Sequence, residues 1–150
     1  MMKKKLLIFF PFLIFLCCFS FQLSAQSDSD WQPVKLDVAG HSIVKDVEAV
    51  FQKKICNNEE MICVKFINHN KYAVTIKWYD AILTKGNSWV KKENSTAKKT
   101  LDIEAQKEIS GDCSPDGSLE CIIKLKDFID NTVDYQLYAI YRFEVLEIKK

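Results

Sequence analysis

Four glycines and three prolines in 150 residues leave little flexible or linker-like chain. With β-branched and aromatic residues throughout, the protein is expected to be ordered. Charge of neither sign is in excess, since 21 Lys and Arg face 20 Asp and Glu. That balance provides no basic field for nucleic acid or anionic lipid. A Gly-rich phosphate loop, a dinucleotide fingerprint and a haem-attachment motif are all missing, so cofactor chemistry has no support in the sequence. No Gly-x-Ser-x-Gly elbow names a nucleophile. Nor is there a Cys-x-x-Cys pair, and His41 and His69 stand far from the cysteines, so no metal site is expected. Sustained helical periodicity is also absent.

What is present begins with Lys3-Lys4-Lys5, an apolar run from Leu6 to Phe21, and Ser24-Ala25 before the polar Gln26-Ser27-Asp28. A basic end, an apolar middle and a small residue at the cut describe a secretory signal peptide over residues 1–25, cleaved after Ala25. The run is short for a membrane span and no second one follows, so no transmembrane anchor is expected in the mature chain. Loss of the three leader lysines leaves two more acids than bases. Residues 26–33 read as a flexible polar leader, and residues 34–150 as one domain, large enough for a core of its own. The expected location is secreted or periplasmic.

The domain reads as a series of strands. Val74, Ile76 and Trp78 alternate with Thr75, Lys77 and Tyr79, a period of two that gives a pleated strand one apolar face. Asn68-His69-Asn70-Lys71 precedes it with turn chemistry, so Met61–Leu83 is expected to fold back on itself as a hairpin. Similar alternation marks Val44–Ile55, Leu119–Leu125 and Tyr135–Ile148, where Leu137, Ala139, Tyr141, Phe143 and Val145 share one parity. Shorter strands are expected at Val34–Val38, Ser88–Lys92 and Leu101–Ile103, and a single helical turn within 126–131. Ser114-Pro115-Asp116-Gly117 fits a type I turn residue by residue. Seven or eight strands with short turns predict an all-β fold, a two-sheet antiparallel sandwich.

The order Cys63, Trp78, Cys121 resembles the immunoglobulin pattern, in which a tryptophan packs on an inter-sheet disulfide. The chain thus resembles small secreted bacterial immunoglobulin-like sandwich proteins of no known activity, with Leu119 where the pattern carries tyrosine. An even number of cysteines after the leader, Cys56, Cys63, Cys113 and Cys121, predicts two structural disulfides. Local bridges, Cys56 to Cys63 and Cys113 to Cys121, would each be worth about 2.5 kcal/mol in the chain-entropy account, and long-range ones about 4.2 kcal/mol. Cys121 shares parity with Ile123 and Leu125, so its sulfur should point into the core. We therefore expect Cys56–Cys113 and Cys63–Cys121, with local pairing as the alternative. Against it, an inward Cys63 would bring Lys65 inward and turn Val64 and Phe66 out.

Two isolated loop histidines are expected to be exposed rather than catalytic. Asn94-Ser95-Thr96 fits the glycosylation acceptor pattern and reads as a chance match. Asp80 falls on the face of Val74, Ile76 and Trp78, where an unpaired carboxylate would cost several kcal/mol. A bulge near Tyr79 that turns Asp80 outward is the expected remedy, and a buried functional acid is the alternative. Trp31, Tyr72, Tyr79, Asp80 and Trp89 are the candidate binding surface. Together these readings predict a non-catalytic interaction module for a protein or glycan, with a small hydrolase inhibitor as the alternative and an uncharacterised enzyme behind both.

Overall fold

The computed structural model describes residues 30–86, 88–91, 97–127 and 135–148. The expected signal peptide, the helical turn beyond Asp127 and the Asn94 acceptor site lie outside them. Among the described residues the strands are β1 (Gln32–Pro33), β2 (Ile43–Val44), β3 (Val47–Cys56), β4 (Glu59–Asn68), β5 (Val74–Thr84), β6 (Trp89–Lys91), β7 (Lys99–Ile103), β8 (Glu108–Ser110), β9 (Ile122–Lys124) and β10 (Tyr135–Glu147). They form two antiparallel sheets, as the alternation predicts. In the larger, β3 is flanked by β1 and β2 on one side and by β4 on the other, and β4 carries β8 and β9 in succession along its far edge. In the smaller, β5 lies between β10 and the pair β6 and β7.

The two sheets bury Ile62, Val64 and Phe66 of β4 against Val74, Ile76 and Trp78 of β5. Phe66 meets the Trp78 ring at 4.8 Å, and Phe51 of β3 meets Tyr138 of β10 edge-on at 5.9 Å. Aromatic pairs in these arrangements add to simple area burial. The chain joins the sheets a second time near its start: Val34 N–H bonds to the Ala49 carbonyl in one sheet, and the Lys35 carbonyl accepts Ile140 N–H in the other. Ordered pairing therefore starts at Gln32, inside the stretch expected to be a flexible leader.

Turn chemistry sets two of the reversals. Asn57 and Asn58, with φ of 52° and 63°, form the two-residue loop between Cys56 and Glu59, the left-handed pair that matches strand twist. Lys45 and Asp46 do the same between β2 and β3, with φ of 49° and 56°. A lysine in that region costs about 1–2 kcal/mol, and its position hid the break in what reads as one strand from Val44.

The expected hairpin of Met61–Leu83 is not formed. β4 belongs to the larger sheet and β5 to the smaller, and Asn68–Ala73 is a corner between them. Asn68, 1% exposed, explains the corner. Its amide nitrogen donates to the carbonyls of Tyr72, Ile103 and Glu104, while its oxygen accepts both N–H groups of Asn70, backbone and side chain. These bonds satisfy backbone carbonyls where the chain leaves one sheet, which buried polar groups require.

β10 carries a second departure. Its register against β5 slips between Tyr141 and Glu144, so Arg142 (φ 51°) and Phe143 together oppose Trp78. One extra residue reverses parity beyond the bulge. Tyr138 and Ile140 face the core before it, and Val145 does after it. Tyr141, expected inside, stands half-buried on the outer face of the smaller sheet beneath the Lys91 ammonium at 3.8 Å.

Candidate functional site

Strand β5 delivers Asp80 to the interior, two residues beyond Trp78 on the same face. The bulge that was to turn it outward lies on β10 instead, so Asp80 stays inside, at 9% exposure. Partners from three elements hold it. Trp78 Nε1 donates to Oδ1 at 3.1 Å and the Tyr138 hydroxyl donates to the same oxygen at 2.7 Å. Lys99 of β7 places Nζ 2.8 Å from Oδ2 and donates also to the Glu120 carbonyl at 2.7 Å. Every group in this network has a partner, and no buried side-chain polar atom among the described residues lacks one.

Burial sets the chemistry of the neighbours. The Tyr138 hydroxyl is pushed well above its ordinary range, first by burial and then by the Asp80 charge. Cys121 lies in the core beside this cluster, where burial pushes its thiol up to about 11 against a bond with Ser118 and the Lys99 charge that pull it down. A thiol that high is protonated at neutral pH and a poor nucleophile.

A second arrangement stands on the outer face of the larger sheet. Between β8 and β9, which both pair with β4, the chain makes an excursion from Gly111 to Cys121. Cys113 in it is bonded to Cys56 at the end of β3, with Cα atoms 5.5 Å apart. Lys54 Nζ meets Asp112 Oδ1 at 3.0 Å, and this bond with the Cys113 N–H holds the Asp112 carboxyl below the usual range. Gly117 N–H closes the Ser114 turn at 3.2 Å, as the type I reading predicts, and Ser118 N–H returns to the Ser110 carbonyl. The glycines are fixed by close approach: a Cβ on Gly111 would stand 2.3 Å from the Cys121 carbonyl oxygen, and one on Gly117 2.5 Å from the Asp112 nitrogen.

Of the two expected disulfides, Cys56–Cys113 is formed. Cys63–Cys121 is not, and both are buried free thiols. Ile62, Val64 and Phe66 occupy the core side of β4, which turns Cys63 to the other face, away from core-facing Cys121. The Lys65 conflict resolves in the same way, since Lys65 faces out and rests 4.8 Å over the Trp31 ring. Cys63 is buried beside Lys54 and Asp112, and desolvation raises its thiol also. A thiol reagent at neutral pH should therefore label neither Cys63 nor Cys121 in native protein, and both in denaturant. Rapid native labelling of either would contradict this placement.

The candidate binding residues do not converge. Trp31 lies on the outer face of the larger sheet, Tyr72 is exposed in the corner, and Asp80 is inside. Tyr79 and Trp89 share the outer face of the smaller sheet, opposite Tyr141 and Leu83 respectively. His41 pairs with Asp37 at 2.7 Å and His69 with Glu48 at 3.0 Å, each at the surface. Sequence reasoning missed Lys99 and Tyr138, whose approach to Asp80 only the strand pairing produces. No known protein family, no curated protein and no solved structure matches the chain.

Proposed function

We propose that the chain is a secreted or periplasmic, non-catalytic interaction module, and that it recognises its partner with the stapled excursion Gly111–Ser118 beside the Asn57-Asn58 hairpin tip. The carrying observation is the fixation of that excursion by a disulfide, an ion pair and backbone bonds to β4 and Ser110. A loop held in one conformation loses little entropy on binding, and that is what preorganisation contributes to affinity. Ser114, Pro115 and Asp116 are exposed at its tip. The apolar run and cut site at the start of the chain support export, and a disulfide is compatible with an oxidising compartment. A small hydrolase inhibitor is the second reading, favoured by the same feature: a rigid loop inserted into the edge of an otherwise regular sheet.

The test is capture from envelope extract with three baits: wild type, a Pro115→Ala/Asp116→Lys variant, and a Tyr79→Ala/Trp89→Ala variant. The loop variant should lose most of the captured partner while the aromatic variant retains it. Hydrolase activity in the eluate, suppressed by added wild-type protein, would select the inhibitor reading. Capture that survives the loop change and fails with the aromatic change would move the binding surface to the smaller sheet.

A further inference from the structure

The pair Lys99 and Asp80 differs from the other lysine–carboxylate pairs among the described residues. In those pairs the carboxylate side chain is 34–56% exposed, whereas that of Asp80 is 12% exposed. Its two oxygens are also differently employed. Oδ2 faces the Lys99 nitrogen at 2.8 Å, and Oδ1 accepts from two fully buried donors, the Tyr138 hydroxyl and Trp78 Nε1. We propose that Lys99 and Asp80 condense to an intramolecular amide that ties β7 covalently to β5.

The step balances without a co-reactant. The first step is a proton transfer from Nζ to Oδ2 across the 2.8 Å contact, which leaves an amine facing a carboxylic acid. Nζ then attacks Cγ, and the negative charge gathers on Oδ1, where Tyr138 and Trp78 already stand as donors. Preorganised donors at a developing oxyanion are an effective means of lowering such a barrier, and fixed proximity supplies a high effective concentration. The Cγ–Oδ2 bond breaks, Oδ2 takes a second proton from Nζ, and water departs. Ammonium and carboxylate become one neutral amide and one water. The Glu120 carbonyl, 2.7 Å from Nζ, holds the nitrogen in place throughout.

Intact mass decides it. The mature protein should weigh about 18 Da less than its sequence beyond the two hydrogens lost at Cys56–Cys113. After reduction and trypsin, peptide 78–85 should be joined to peptide 99–107, with Lys99 uncut and Lys54, Lys65 and Lys98 unmodified. Lys99→Arg, which keeps the ion pair, should restore the full mass. Tyr138→Phe, which removes one donor from Oδ1, should slow the appearance of the joined peptide after refolding at least tenfold. Separate, unmodified peptides from aged wild-type protein would overturn the proposal, as would a joined peptide that forms equally fast in Tyr138→Phe.

Discussion

Trp78→Ala should lower the unfolding free energy by about 3–5 kcal/mol, the range for removing a buried tryptophan. Trp78 is 1% exposed and meets Phe66 of the facing sheet at 4.8 Å, so its loss opens a void at the contact between the two layers. It also removes one donor from Asp80 Oδ1, leaving a buried oxygen with fewer partners, a further cost. Trp78→Phe keeps most of the ring volume and loses only the N–H, so it should be less severe than Trp78→Ala. Urea unfolding of the three proteins measures the difference. A loss under roughly 1 kcal/mol for Trp78→Ala would show that the indole does not bridge the sheets.

Cys56→Ala/Cys113→Ala should cost about 4 kcal/mol in the chain-entropy account, within the 2–5 kcal/mol usual for native bridges. The bridge spans 57 positions in sequence, so it restricts the unfolded chain strongly. In the folded state its effect is local, because β8, β9 and their pairing with β4 do not depend on it. Hydrogen exchange should therefore rise across 111–118 and stay low across β5 and β10. Reductant should reproduce the stability loss in wild type and add nothing to the double variant. An equal loss on adding reductant to the double variant would mean that a second bridge exists.

Strand parity was legible wherever a strand stays regular. β5, central in its sheet, shows the alternation of Val74, Ile76 and Trp78 that the sequence displays. β10 does not, because a bulge at Arg142 shifts parity partway and nothing in the residues marks it. The two asparagines of the corner announced a turn correctly. Turn chemistry says that the chain bends, however, and not which strand receives it; the carbonyls that fix Asn68 include two lying 35 and 36 positions onward. The cost of burying Asp80 was likewise legible and its remedy was not, since Tyr138 lies 58 positions away. Cysteine parity placed Cys121 in the core. The same rule applied to Val64 and Phe66 turns Cys63 the other way, and the immunoglobulin-like order of Cys63, Trp78 and Cys121 therefore forms no bridge.

The arrangement of β4 and β5 in opposite sheets underlies the core and the Asp80 cluster, and backbone nuclear Overhauser contacts test it most directly. Cross-strand contacts are predicted between Gln52 and Cys63, between Trp78 and Lys99, and between Tyr79 and Tyr141. A ladder joining Ile67 to Val74 and Lys65 to Ile76 would instead mean that the two strands pair as a hairpin. That result would contradict the sandwich described here.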